Sequence, residues 1–177
     1  MKILSCGAGM QSTALALMSC ENKKEIKYKE VPVYDAIIFC DLGNEPKWVY
    51  QQVDFIKNAC ENAGIPFYIL DTHLYQDYLD NFGKHRVVSI PFWSVDENGK
   101  KGKMMRNCTL DYKINEIIKF VKYELLGYVK YQRVKNEDLK AHEMHLGFSL
   151  EEKHRCKENN HKMFVNKFPL VEMELTR

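Results

Sequence analysis

Ile3-Leu4-Ser5-Cys6-Gly7-Ala8-Gly9-Met10-Gln11-Ser12-Thr13-Ala14-Leu15-Ala16-Leu17-Met18 decides the fold, because an apolar run breaks into a loop of small residues and then into a helical pattern. That order of elements builds a phosphate cradle. Gly7 and Gly9 let main-chain N–H groups approach an anion, and Ser12 and Thr13 stand where the helix begins. An oxyanion there would meet free amides, hydroxyls and the positive end of the helix dipole.

Two well-known glycine-rich loops compete for this stretch, and each matches only in part. The nucleoside-triphosphate P-loop requires Gly-x-x-x-x-Gly-Lys and then Ser or Thr, yet no lysine falls between Lys2 and Lys23. The dinucleotide pattern Gly-x-Gly-x-x-Gly has Ser12 in its third glycine position. A tight strand-to-helix turn without a ligand is the third reading.

The 177 residues fit a single domain, 1–177, and a hydrophobic content of 45% is ordinary for a globular chain. The formal charge of +2, with lysines interspersed among acids, makes no electrostatic case for nucleic acid, so that partner is disfavoured but left open. The segment Asn22-Lys23-Lys24-Glu25-Ile26-Lys27-Tyr28-Lys29 reads as a solvated helix end and loop. No apolar run reaches the ~20 residues of a membrane span, and the N-terminus lacks a signal-peptide pattern, so the expected location is cytoplasmic, away from membranes. The six cysteines, Cys6, Cys20, Cys40, Cys60, Cys108 and Cys156, contain no Cys-x-x-Cys pair, which suits reduced thiols better than a disulfide framework.

Along the chain the spacing predicts alternating strands and helices. Strands are expected at Lys2 to Leu4, Ala36 to Cys40 and Pro66 to Leu70. Helices are expected from Gln11 to about Cys20 and from Pro46 to about Asn62, the latter with Val49, Val53, Ile56 and Ala59 inward and Gly64 as its stop. This pattern argues for a parallel sheet with right-handed crossovers, whose ligands bind at the carboxyl ends of strands, where the Gly7 loop, Asp41 and Asp71 fall. Residues Asn81 to Lys103 read as a long irregular excursion. Arg106 to Leu126 returns to helix, with Ile114, Ile117, Ile118, Val121 and Leu125 buried. Ala141 to Phe148 reads as a strand, Ser149 to about Glu158 as a short helix with a Ser149/Glu152 capping box, and Phe164 to Leu170 as extended.

Two further motifs join the first loop: Phe39-Cys40-Asp41-Leu42-Gly43-Asn44-Glu45-Pro46 and Arg106-Asn107-Cys108-Thr109-Leu110-Asp111-Tyr112-Lys113-Ile114. Together the three resemble the phosphoadenosine phosphosulfate (PAPS) reductase-like family of the PP-loop, or adenine nucleotide alpha-hydrolase-like, superfamily, most of all its small bacteriophage and prophage members. Gly9-Met10-Gln11 resembles the Gly-hydrophobic-Gln of some reductase-like loops, and Asp41-Leu42-Gly43 is similar to their Asp-Thr-Gly. The resemblance extends to Gly147-Phe148-Ser149-Leu150-Glu151-Glu152 and Phe168-Pro169-Leu170-Val171-Glu172-Met173.

It implies a three-layer α/β fold of PP-loop, Rossmann-like type and a small-molecule adenine nucleotide, ATP or PAPS-like, with Mg²⁺ as a compatible companion. It implies nucleotide contacts at Ser5, Gly7, Ala8, Gly9, Met10, Gln11, Ser12, Thr13, Phe39, Cys40, Asp41 and Gly43, and catalytic roles for Arg106 and Lys113. Those two would supply a planar fork and a mobile point charge to a polyanion. The activity implied is an ATP pyrophosphatase or a PAPS reductase or sulfotransferase-like reaction. The alternative is a non-catalytic phage-type module that sequesters an adenine nucleotide or nucleotide signal.

The departures are concrete. The reductases' Glu-Cys-Gly-x-His tail is absent before Leu175-Thr176-Arg177, and longer relatives continue into a cysteine-rich segment, so the chain is expected to be a short form or a truncated one. Cys108 and Cys156 lack the further thiolates of an iron–sulfur cluster, so none is expected. A homo-oligomer is left open.

His142-Glu143-Met144-His145, followed by His154, Cys156 and His161, invites a metal. An extended segment sends residues three apart to opposite faces, which favours a polar surface instead, and no metal site is assigned. Trp48 and Trp93 read as core or rim aromatics before base-stacking platforms. Replacing Arg106 with alanine is predicted to weaken binding of a nucleotide with a terminal phosphate or sulfate far more than adenosine. Titration calorimetry with both ligands checks this, and equal losses would assign Arg106 to supporting the fold.

Overall fold

A computed structural model describes residues 1–81, 93–103 and 110–177. Arg106 and Cys108 lie outside the described residues, as do Gly83 and Pro91 of the expected excursion. The chain is α/β, with a five-stranded parallel sheet flanked by helices.

The opening apolar run becomes β1 (Lys2–Cys6), in which Ile3 and Leu4 are both fully buried although they face opposite sides of the sheet. Only a strand covered on both faces buries consecutive residues in this way. β2 (Ala36–Asp41) lies on one side of it, with Ile3 opposite Ala36 and Cys6 opposite Phe39. After β3 (Phe67–Asp71), the ribbon β4 (Trp93–Val95) and β5 (Lys101–Lys103), the strand β6 (His142–Leu146) returns to the other side of β1, with Lys2 opposite Glu143 and Ser5 opposite Leu146. β7 (Phe164–Lys167) completes the order β3-β2-β1-β6-β7.

Two helices cross between these strands. α1 (Met10–Asn22) buries Leu15 and Ala16, and α2 (Lys47–Ala63) buries Val49, Val53, Ile56 and Cys60 in one inward stripe. Gly64 ends α2 in the left-handed conformation, φ 66°, and its N–H and that of Ile65 reach back to the last turn, as a helix-stopping glycine should. Each expected element of this half is present: β1 and β2 run one or two residues further than the periodicity alone indicated, α1 gains residues at both ends, and α2 and β3 start and end one residue later.

Contact density divides the chain into two units, one comprising Met1–Phe39, Pro46–Ile69 and Val129–Arg177, the other Cys40–Glu45 and Leu70–Tyr128. In the first, Lys23, Lys24, Glu25, Lys27 and Lys29 are exposed, as a solvated helix end and loop should be, and the turn is held together by one buried side chain at the end of α1. Asn22 is buried; its amide donates to the carbonyls of Tyr28 (2.8 Å) and Val31 (2.6 Å) and its oxygen accepts from the N–H groups of Lys27 and Tyr28. One side chain thus satisfies four backbone groups of the turn. Lys140, at φ 53°, sends its ammonium to the carbonyls of Asn159 (3.0 Å), His161 (3.5 Å) and Phe164 (3.0 Å), closing the turn ahead of β7.

The extended stretch expected from Phe164 to Leu170 stops early. Proline at its first position turns α5 (Pro169–Glu172) out of the strand. The helix expected after Ser149 is a 3₁₀ helix, Leu150–Arg155, and the Ser149 side chain makes no cap bond, so the capping box does not form. Glu152 turns instead to the side chains of Gln11 and Arg155, a charged donor outcompeting a main-chain N–H.

In the second unit, α3 (Leu74–Asn81) was not anticipated. Part of the expected irregular excursion is regular, since β4 and β5 pair antiparallel around a turn in which Asp96 accepts from the N–H groups of Asn98 and Lys100. The later helix is present from Leu110. α4 (Asn115–Phe120) buries Ile117 and Ile118 and is continued on both sides by wider π-type turns, Leu110–Ile114 and Val121–Leu125. Among the described residues no helix is long and apolar enough to cross a membrane.

Asn22→Ala is predicted to lower stability by about 2 kcal/mol or more, because buried backbone donors and acceptors lose their partners. Urea unfolding reads the change as a lower midpoint at unchanged slope.

Candidate functional site

β1 delivers the chain to the carboxyl edge of the sheet at Cys6, and the next residues must leave the sheet and start a helix within a few positions. The turn is made by Ala8, whose φ of 53° is in the left-handed region, while Gly9 caps α1 in an extended conformation, φ −83°. A non-glycine residue held there is uncommon and is found disproportionately at functional turns. A Cβ built on Gly7 or Gly9 would meet nothing within 4 Å, so the space in front of both is open.

The loop hydroxyls have internal duties. Ser12 Oγ accepts from the Gly7 N–H and donates to the Gly9 carbonyl, both at 3.2 Å, which closes the loop on itself. Thr13 Oγ1 accepts from Gln52 Nε2 on α2 at 3.2 Å, and its N–H bonds the Gly9 carbonyl. Both residues are buried. The groups left for an anion are the main-chain N–H groups of the first turn of α1, which have no intrahelical partner. That turn carries no acidic side chain to oppose one.

The turn after β6 braces this loop. At Gly147 an added Cβ would stand 2.7 Å from the backbone nitrogen of Ser12, a contact that only glycine permits. Gln11 Nε2 donates to Glu152 Oε2 at 3.0 Å; the other oxygen of Glu152 bonds Arg155, whose guanidinium lies 4.5 Å from the Phe148 ring centre. Phe148 in turn stacks on Phe168 at 5.9 Å. Nothing local to 147–155 points back to residue 11, so this brace is not legible in the sequence. Met10 is exposed, and Ser5 is half-buried within β1.

Phe39 is 1% exposed and belongs to the core. In the second unit, the turn after β2 is held by its own side chain: Asp41 Oδ1 accepts from the Gly43 N–H at 2.8 Å, an Asx turn that uses the positive φ of Gly43, 86°. The Asp41 carbonyl accepts from both N–H and Oγ1 of Thr72, and the Leu42 carbonyl from Tyr75. Lys113 joins both ends of this turn, its carbonyl 3.7 Å from the Cys40 thiol and its ammonium 3.8 Å from Glu45 Oε1. Burial pushes the Cys40 thiol up to about 12, so it stays protonated. Tyr112 donates to Asp77 at 3.0 Å.

The His-Glu-Met-His segment is a strand, but its histidines do not form a polar surface. They point to opposite faces of a sheet covered on both sides, so both are buried. His142 bridges the Met1 amine (3.1 Å) and Asp138 (3.0 Å); His145 pairs through Nε2 with Glu143 at 3.0 Å and meets the Tyr34 ring edge-on. Among the described residues no group of three or more His, Cys, Asp or Glu could hold a metal ion. Trp48 is 62% exposed, at the rim rather than in the core.

No protein-family model matches the chain, and no curated protein matches it either.

Burial depresses the His145 pKa below its ordinary 6.5, with Lys2 adding to this and Glu143 and Glu172 opposing it. The unfolded chain therefore binds the proton more readily than the folded one. The stability that His145 contributes is complete above pH 6.5 and is lost as pH falls through that value toward the folded pKa. His145→Phe is expected to flatten this acid limb, read from thermal midpoints between pH 7.5 and 5.

Proposed function

We propose that this chain is an adenine-nucleotide-binding protein of PP-loop type, acting at the alpha-phosphate of ATP or on a PAPS-like phosphosulfate. The observation that carries the reading is the loop itself. It follows the central strand of a parallel sheet, turns through a left-handed Ala8 and leaves open space in front of Gly7 and Gly9 at a helix N-terminus. Parallel sheets bind their ligands at that edge, and helix N-termini accept phosphate. Because Ser12 and Thr13 spend their hydroxyls inside the fold, the reading assigns the phosphate to main-chain donors, preorganised at no further cost when charge develops. Arg106 and Lys113 are assigned to the anionic groups on the strength of the sequence resemblance, and Mg²⁺ would accompany ATP.

A second reading, a module that holds the nucleotide without turnover, is favoured by one observation. The Lys113 ammonium already has a carboxylate beside it in Glu45, which lessens its pull on a transition state. Incubation with ATP and Mg²⁺, or with PAPS and a thiol donor, followed by chromatography separates the two. AMP with pyrophosphate, or a reduced sulfur product, supports the enzyme; intact bound nucleotide supports the module.

Gly9→Val is predicted to abolish nucleotide binding while leaving the fold intact, since its Cβ meets no protein within 4 Å and its branches occupy the open space. Calorimetry with ATP and with PAPS, alongside an unchanged circular dichroism spectrum, checks this. Unchanged affinity would remove the phosphate cradle from the assignment.

A further inference from the structure

α1 and α2 pack side by side in the first unit, and near their C-terminal ends each presents a cysteine to the other. Cys20 Sγ and Cys60 Sγ are 3.9 Å apart, in hydrogen-bond contact. Cys60 is fully buried, whereas Cys20 keeps an edge on a cavity of about 280 Å³ lined also by Leu17, Glu21, Lys24 and Ala59. The two thiols are therefore not equivalent. One is reachable from solvent by a small molecule, and the other stands behind it.

We propose that Cys20 and Cys60 form an oxidisable dithiol, with Cys20 attacking a small hydroperoxide and Cys60 resolving the product to a disulfide that ties α1 to α2. The Cys20 thiolate attacks the terminal oxygen, the O–O bond breaks, and the leaving alkoxide or hydroxide takes a proton from solvent; Cys20 becomes a sulfenic acid. Cys60 then gives up its proton, its sulfur attacks the Cys20 sulfur, and hydroxide leaves as water. Two thiols are oxidised by two electrons and one peroxide is reduced, so no further reactant is needed.

Electrostatics sort the roles in the same way as access does. The two thiols share one hydrogen bond, the charge of Lys24 stands beside Cys20 and favours its thiolate, and burial pushes the Cys60 thiol up. From 3.9 Å the sulfurs must close to about 2.05 Å for the bond to form. The site lies at the far end of α1 from the phosphate loop, roughly 15 Å along the helix, and does not depend on what that loop binds.

Native full-length protein treated with hydrogen peroxide, blocked with a maleimide and digested without reductant tests this by mass spectrometry. The expected product is a dithiothreitol-sensitive cross-link between the peptides holding Cys20 and Cys60, with a thermal midpoint raised by several degrees. Cys60→Ser is expected to stop at a Cys20 sulfenic acid that dimedone captures, and wild-type cross-link mapping decides the matter should that variant fail to fold. The proposal is overturned by both thiols remaining maleimide-reactive on unfolding after peroxide. A Cys6–Cys60 cross-link, or a Cys20–Cys60 cross-link that forms only in denaturant, would overturn it equally.

Discussion

Parallel pairing of β1 on both of its edges is the constraint from which the rest of the first unit follows. Its register sets Cys6 level with Phe39 on one side and Ser5 level with Leu146 on the other, so β1 and β6 leave the sheet at nearly the same height while β2 runs two residues further, to Asp41. None can turn straight back, because parallel neighbours require a crossover. The segments after Cys6 and after Leu146 therefore crowd the same edge, and the crowding is resolved where Gly147 meets the backbone of Ser12. The loop is thus shaped as much by a glycine far along the chain as by its own two.

What was legible in the sequence was local. β1, α1, β2, α2 and β3 announce themselves through apolar runs of strand or helix spacing, bounded by residues such as Gly64 whose conformation is nearly obligatory. The insertion of β1 between β2 and β6 was not legible, since strand order is a long-range property that no window of residues records. The same limit explains the histidines. Strand geometry correctly sent His142 and His145 to opposite faces, but only the presence of a layer on each face makes both of them buried. The capping box failed for a related reason, Glu152 having a partner in Gln11 that lies outside any local pattern.

At the candidate site the sequence shows which residue types make the loop, and the structure adds their partners within the fold. Ser12 and Thr13, a serine and a threonine after a glycine loop, fasten that loop to Gly7 and Gly9 and to Gln52. Asp41 likewise spends one oxygen on its own turn. Each of these bonds removes conformational freedom from the turn that makes it.

Lys140 shows two local tendencies set against each other. Its left-handed φ of 53° suits glycine and strains a lysine by about 1 kcal/mol, while its ammonium gathers the carbonyls of Asn159, His161 and Phe164. Glycine would relax the backbone and leave those carbonyls to water; lysine accepts the strain and supplies the charge. Acylation of that one amine would keep the strained backbone and cancel the compensation, so the turn leading into the edge strand β7 is a place where a small chemical change on the surface would be felt as loosened pairing at the rim of the sheet.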